Sequence, residues 1–288
     1  MILRITAAIA LTLTLVTGAA AEDRELIFGV TEGVTYQATP KEIRDKFTPL
    51  ADYIGKAIGR RVKVVLVPAY NDVRAGMAKH EYDMVFIHPA HVAMAEVKAG
   101  RYKAVAWTSG FTEYTVSILT NADTPLKALD DLKGRTLVTP DPDSITAMMV
   151  NAMMRSGKLP VTNAKPDATN TAELASSVRI ITTRYQDAVP FYIENGFAQA
   201  GATAARAVVK AWTDKGGKVL AQSRSVPIKQ VLVAKGMPAD EQEKIRVALL
   251  GMATQGKPGK DALDAIGYKG FVAPNSEVES STIAWLGL

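Results

Sequence analysis

The strongest candidate for chemistry is a hydroxyl-bearing segment at the predicted start of a helix. Ser144 and Thr146 stand in Asp141-Pro-Asp-Ser-Ile-Thr-Ala147. This segment follows a short apolar strand, predicted over 136–139, and opens a helix predicted over 144–154. Serine commonly caps helices, and the first helical turn carries unpaired N–H groups and a partial positive charge. The pattern predicts an anion-binding helix start, with an ordinary capped helix as the alternative.

Two histidines and two tyrosines stand at the ends of other predicted strands. His88 and His91 follow the third strand, while Tyr70 and Tyr114 lie near the second and fifth. Structural metal sites need three or four ligands, and the third histidine, His80, is in a separate connection, so no metal is predicted. His91 opens a helix and is predicted to hydrogen-bond a ligand. The alternative for both tyrosines is a half-buried packing role with satisfied hydroxyls.

The residue types argue against an enzyme. The chain has no cysteine, which excludes disulfides, thiol nucleophiles and thiolate metal sites. It has no Gly-x-Ser-x-Gly nucleophile elbow. Ser144 with His91 is the one combination that resembles a nucleophile and its base. We expect neither catalysis nor a cofactor.

The N-terminus has the pattern of a secretory signal peptide, predicted over residues 1–21. Arg4 precedes an apolar run from Ile5 to about Val16, and Ala19-Ala20-Ala21 is a small-x-small cleavage site. The run is short for a bilayer span, so a membrane anchor or a buried helix is the lesser alternative. A cysteine-free exported protein with this leader is predicted to be periplasmic, although Gram-positive secretion remains open.

The charge and length of the chain limit the classes of binding partner and the number of lobes. The formal net charge of +5 loses one unit when Arg4 leaves with the leader, and the remaining basic residues are scattered without aromatic interleaving. Nucleic acid is therefore not a predicted partner. The mature length exceeds that of one ordinary domain, which predicts two lobes, each with its own core.

The order of elements predicts an α/β fold. Strands and helices alternate from residue 25 onward, the signature of parallel sheets covered by helices. We assign residues 22–119 to lobe 1, residues 120–222 to lobe 2, and residues 223–288 to a return into lobe 1. Two crossings would form a hinge. Parallel sheets bind ligands beyond the carboxyl ends of their strands, so two facing lobes would enclose one cleft.

These segments together resemble the type II periplasmic solute-binding proteins of ABC transporters. Leu129-Asp-Asp-Leu-Lys-Gly-Arg135 is similar to the start of the second lobe in that fold. Within it the chain resembles the phosphate, phosphite and phosphonate branch. Tyr70 and Tyr114 match that branch's tyrosines, and the 141–147 segment resembles its Asp-Pro-x-Ser-Thr-Ser-Gly anion loop. The resemblance implies ligand contacts at the matching positions Tyr70, His88, His91, Tyr114, Ser144, Ile145, Thr146, Gln186 and Gln199.

Several of these positions depart from the branch pattern. Ile145 replaces the middle hydroxyl of the loop, and Ala147 replaces its glycine. Gln186 stands at the histidine position and Gln199 at the acidic position. Loss of a donor to a buried oxyanion would cost on the order of 1–3 kcal/mol. The ligand class therefore stays open between a phosphorus oxyanion, another oxyanion and a carboxylate.

The resemblance implies capture of a small anionic solute in the cleft by hinge closure. The expected partners are ABC permease subunits, with a membrane sensor kinase as the alternative. A monomer is expected, as is common in this fold family.

Overall fold

The computed structural model describes residues 24–32, 39–163 and 175–288. The predicted signal peptide lies outside these residues. Within them, no helix combines the length and apolar character needed to cross a bilayer.

The described ranges contain alternating strands and helices over their whole length. The strands are β1 Leu26–Thr31, β2 Val62–Leu66, β3 Met84–Ile87, β4 Tyr102–Thr108, β5 Ser117–Thr120, β6 Thr136–Thr139, β7 Val161–Asn163, β8 Val178–Thr182, β9 Ala200–Thr203, β10 Lys218–Gln222, β11 Gln230–Ala234 and β12 Phe271–Val272. The helices are α1 Pro40–Ile58, α2 Tyr70–Ala78, α3 Ala90–Lys98, α4 Ile145–Ser156, α5 Val189–Glu194, α6 Arg206–Asp214, α7 Ala239–Gly251, α8 Lys257–Ile266 and α9 Ser276–Leu286.

The first sheet has the order β12-β4-β11-β3-β1-β2. Strand β1 pairs in parallel with β2 and β3, while β11 is antiparallel to both β3 and β4. Phe28, Phe47 and Phe86 join the sheet to α1, with ring centroids 6.5 Å apart for the first pair and 5.0 Å for the second. Burial of these aromatic rings removes apolar surface from water and helps to hold α1 on the sheet.

The second sheet has the order β10-β5-β9-β6-β8-β7. Strand β6 lies between β8 and β9 and is parallel to both. Its four residues are all buried, so both faces are covered. The predicted α/β architecture of two sheets with helices is confirmed.

Two chain segments cross between the sheets side by side. The β4–β5 and β10–β11 connections pair through Tyr114 and Val226, whose N–H groups each donate to the other's carbonyl at 3.0 and 2.9 Å. Val116 N also donates to Ser223 Oγ at 2.9 Å. This pairing gives the two crossings one local structure, as expected of a hinge. Strand β5 belongs to the second sheet from Ser117 onward, so the predicted boundary after residue 119 falls within that strand.

The C-terminal helix α9 makes a third connection, which the assignment of residues 223–288 to lobe 1 leaves out. Leu286 is 2% exposed and packs in the lobe 2 core with Val150 and Met154 of α4. Lys98 of α3 donates to the Leu288 carbonyl, and Arg155 of α4 donates to the Trp285 carbonyl. The end of the chain thus contacts helices of both lobes.

Candidate functional site

The 136–147 segment forms the predicted strand and turn and the capped start of the helix. Strand β6 ends at Thr139, and Ser144 is the N-cap of α4, its Oγ accepting from Ala147 N at 3.2 Å. Asp141 Oδ1 accepts from Asp143 N at 2.8 Å and shapes the turn before it. The first N–H bonded inside α4 is that of Met148, which donates to Ser144 O. The N–H groups of Ile145 and Thr146 therefore have no partner inside the helix.

Three predicted residues form one hydrogen-bonded cluster at the hinge. The Tyr114 hydroxyl lies 3.2 Å from Thr146 Oγ1 and accepts from Gln186 Nε2 at 3.4 Å. Gln186 Oε1 accepts from Thr203 Oγ1 at 3.2 Å and from Ala204 N at 2.6 Å. Burial raises the pKa of the Tyr114 phenol, so it remains a neutral donor. The amide of Gln186 thus connects the hinge tyrosine to the carboxyl end of β9.

Two further predicted residues meet on the lobe 1 side. Tyr70 is the first residue of α2, and His91 is in the first turn of α3. Their rings meet edge to face with centroids 6.2 Å apart, and both side chains are buried. The sequence favours Asn71 or Asp72 as the cap of a helix over 73–79, but α2 starts at Tyr70 and without a side-chain cap bond. The earlier start places Tyr70 on the helix one turn before Arg74.

An ion pair between the lobes was missed by the sequence analysis. Arg74 of α2 donates to Asp143 in front of α4, with 2.9 Å from Nη1 to Oδ2 and 2.5 Å from Nη2 to Oδ1. His91 Nε2 lies 3.3 Å from Arg74 Nη2 and 3.7 Å from Asp143 Oδ1. The available signal was Asp143 itself, which fills the variable position of the anion loop.

Histidine protonation follows from these surroundings. Burial, with the positive charge of Arg74, lowers the pKa of His91 to about 4, against the opposing effect of Asp143. Hydrogen bonding by Arg74 lowers the pKa of the Asp143 carboxyl. At neutral pH the group therefore holds a neutral imidazole, a guanidinium and a carboxylate.

His88 lies at the hinge and not in this group. Its Nδ1 is 3.3 Å from the carbonyl oxygen of Ile228, in the returning segment. Burial and the nearby Lys229 lower the pKa of His88 to about 3. The neutral ring therefore faces the hinge backbone.

Two predicted contacts have structural roles in the described residues. Gln199 Oε1 accepts from Thr136 N at 2.9 Å, at the amino end of β6, whereas the anion loop follows its carboxyl end. Gln199 is therefore not brought to the site, because its position before β9 places it at the opposite edge of the sheet. Ile145 is 2% exposed and packs in the lobe 2 core, so only its backbone is available.

A buried charged cluster at the carboxyl edge of the first sheet was also missed. Glu32, after β1, accepts from Lys46 at 2.6 Å and from the hydroxyl of Tyr268. Lys229 Nζ lies 3.8 Å from the same carboxylate and 4.6 Å from the centroid of the Phe111 ring. Burial lowers the pKa of Lys229. These residues are far apart in the chain and share no local motif.

A cavity of about 270 Å³ lies at the hinge beside the Tyr114 cluster. Its lining includes Phe111, Tyr114, Ala204 and Arg206. The described residues contain no group of three or more His, Asp or Glu side chains arranged to hold a metal ion. The groups available to a ligand are neutral hydrogen-bonding side chains, the N–H groups at the start of α4 and the Arg74 guanidinium.

Ser144→Ala tests the cap directly. We expect the free energy of unfolding to fall by about 1 kcal/mol, because Ala147 N loses its acceptor. Urea unfolding of the protein measures this loss. Ser144→Asp, which also caps, should restore most of it, and equal instability of both variants would contradict the capping role.

The chain matches known proteins over most of its length. Residues 33–278 match the family model described as ABC transporter, phosphonate, periplasmic substrate-binding protein. Among solved structures, XAC2383 of Xanthomonas citri bound to ATP aligns with a TM-score of 0.74 at 16% identity, covering 91% of this chain and 96% of that one. PhnD1 of Prochlorococcus marinus in complex with methylphosphonate aligns with a TM-score of 0.59 at 13% identity, covering 90% and 96%.

A binding protein component of an ABC phosphonate transporter from Pseudomonas aeruginosa aligns with a TM-score of 0.54 at 15% identity, covering 92% of this chain and 95% of that one. At such identities these structures share the fold. The family model covers far more than half of the sequence. The chain therefore belongs to the periplasmic substrate-binding proteins of phosphonate ABC transporters.

Proposed function

We propose that this protein binds a small phosphorus oxyanion between its lobes and delivers it to ABC permease subunits. The observation that carries the proposal is the neutral donor cluster of Tyr114, Thr146 and Gln186 beside the first turn of α4. Neutral donors and a helix N-terminus suit an oxyanion because they satisfy its oxygens at low desolvation cost. The methylphosphonate in the Prochlorococcus relative supports this ligand class.

The proposed contacts come from both lobes and the hinge. From lobe 1 we assign Tyr70 and His91, whose rings meet edge to face. From lobe 2 and the hinge we assign Tyr114, Thr146 and Gln186, which already share hydrogen bonds. Ser144 and Ile145 are proposed to act through the start of α4 and its N–H groups. His88 is proposed to support the hinge.

The proposal is a binding role without catalysis. Ser144 Oγ accepts a hydrogen bond from Ala147 N, and His91 Nε2 faces Arg74 and Asp143. This arrangement gives no sign of a serine activated by a histidine base. Periplasmic location after leader cleavage near Ala21, a monomeric state and the absence of a nucleic-acid partner belong to the same proposal.

A thermal-shift screen of the exported chain tests the function. The panel contains methylphosphonate, phosphate, phosphite, sulfate, acetate and ATP, the last because of the Xanthomonas relative. A ligand at a hundredfold excess over its dissociation constant stabilises the folded state by about 2.7 kcal/mol. We expect the largest shift with a phosphorus oxyanion. A shift with acetate alone would reject the ligand class, and a shift with ATP alone would point to a nucleotide.

Tyr114→Phe tests the proposed contacts. The change removes the hydroxyl between Thr146 and Gln186, and we expect affinity for the best oxyanion to fall by about tenfold. Isothermal titration calorimetry measures the change. Tyr192→Phe, at a half-buried residue in contact with the exposed Phe191 and Phe197, is the matched control and should leave affinity unchanged. Unchanged affinity in Tyr114→Phe would remove this residue from the site.

A further inference from the structure

In the Arg74–Asp143 pair, the guanidinium holds the carboxylate in the way that an arginine holds a bound anionic ligand. The guanidinium donates through both Nη atoms to the two carboxylate oxygens, at 2.9 and 2.5 Å. This two-point geometry is the one by which arginine recognises carboxylate and phosphate groups. Asn71 Oδ1 accepts from Arg74 Nη1 at 3.1 Å and helps to orient the guanidinium.

The carboxylate of Asp143 occupies a place suited to an oxyanion. Asp143 directly precedes Ser144, the N-cap of α4, so its negative charge lies at the positive end of that helix. Arg74 faces it from α2 of the other lobe, and the buried His91 completes the surroundings. A solute oxyanion that enters between the lobes would contact the same three groups: the start of α4, Arg74 and His91.

The pair is accessible to solutes. The side chains of Arg74 and Asp143 are 35% and 43% exposed, whereas His91 beside them is 4% exposed. Water and salt reach an ion pair of this exposure and screen part of its attraction. An anion with two suitably spaced oxygens can therefore replace the carboxylate without exposing the core.

We propose that Arg74 is the lobe 1 cation that binds the solute's oxyanion, and that Asp143 is an internal competitor displaced by the solute. This inference rests on the proposed function and extends it to specificity. A solute must displace the Asp143 carboxylate in order to bind. A solute with two anionic oxygens competes for the guanidinium, while chloride or a neutral solute cannot match the two-point contact. The rival explanation is that the ion pair only holds the two lobes together, as a latch. The two explanations predict opposite changes in ligand affinity for Asp143→Asn.

Titration calorimetry with methylphosphonate as the probe separates the two explanations. We expect Arg74→Gln to weaken binding by at least about tenfold, because the cation is lost. We expect Asp143→Asn to strengthen binding by about tenfold, because the competitor loses its charge. In a latch both variants would weaken binding together. Asp45→Asn, in the exposed Lys41–Asp45 pair, is the control and should change nothing.

The outcomes separate this inference from the function it rests on. Binding by the parent with opposite effects of Arg74→Gln and Asp143→Asn supports both. Binding only by Asp143→Asn also supports both, since it reveals a blocked site. Binding by the parent with effects of the same sign, or none, overturns the inference alone. No binding of any panel oxyanion by the parent or Asp143→Asn overturns both, and thermal melts without ligand confirm that each variant is folded.

Discussion

Glu32→Ala is expected to lower the free energy of unfolding by about 3 kcal/mol, because it leaves two partly buried cations without their counter-charge. The Glu32 side chain is 2% exposed, and those of Lys46 and Lys229 are 21% and 15% exposed. The carboxylate also accepts from the Tyr268 hydroxyl. Burial already lowers the pKa of Lys229, and Glu32 opposes that fall. Its removal should therefore weaken the ordering of this edge of the first sheet.

Urea unfolding measures the loss, with an exposed pair as the reference. Asp45→Ala removes the partner of Lys41 in a pair whose side chains are 62% and 78% exposed, and should cost less than about 1 kcal/mol. Glu32→Ala combined with Lys229→Met should recover part of the stability, since one unpaired cation is then gone. Equal losses for Glu32→Ala and Asp45→Ala would contradict the account of the cluster.

Stability is also expected to fall as the pH drops from about 6.5 toward 4. The folded pKa of His91 is about 4, below the ordinary value of 6.5, so the unfolded chain binds more protons in this range. The free energy of unfolding therefore rises with pH across this window, and the contribution of His91 is fully present above pH 6.5. At 1.36 kcal/mol per pH unit, His91 alone accounts for about 3 kcal/mol. His88, with its folded pKa of about 3, acts in the same direction.

Unfolding free energies at several pH values test this slope. His91→Gln cannot titrate at this position and should reduce the slope between pH 6.5 and 4 to roughly half, the part that His88 contributes. His80→Asn is the matched control because His80 is exposed and asparagine tolerates its positive φ of 58°. An unchanged slope in His91→Gln would show that the imidazole is not held neutral by burial.

Local sequence signals predicted the start of α4 well. Ser144 caps the helix as expected, because capping depends on residues within one turn. The start of α2 was predicted too late, since Asn71 and Asp72 look like caps. Asn71 instead accepts from Arg74 within the helix.

Short or interrupted helices and strands were the other elements that the sequence did not predict. The sequence predicts one amphipathic helix over 239–255, but α7 ends at Gly251 and a separate helix, α8, begins at Lys257. Gly256 has a φ of 92° and Pro258 stands in the first turn of α8, so the break has a sequence signal in Gly-Lys-Pro-Gly. Strand β7 has three residues at the edge of the second sheet and little periodicity to reveal it.

Site prediction was limited by distance along the chain. Tyr114, Thr146 and Gln186 were found through the family pattern, and the structure brings them together. Arg74 and Asp143 are 69 residues apart and belong to different lobes, so no local pattern pairs them. Gln199 shows the opposite case: it matches a family position, yet its amide pairs with Thr136 N at the far end of β6.

Hydrogen exchange with and without methylphosphonate tests the central claim, a binding site between the lobes, most directly. We predict slower exchange in the first turns of both α2 and α4, around residues 70–74 and 145–148, with no change at the exposed Phe191 and Phe197. Protection confined to one lobe would contradict an interlobe site. Protection only at the cavity lined by Arg24, His80 and Tyr82, at the other end of lobe 1, would place the ligand elsewhere.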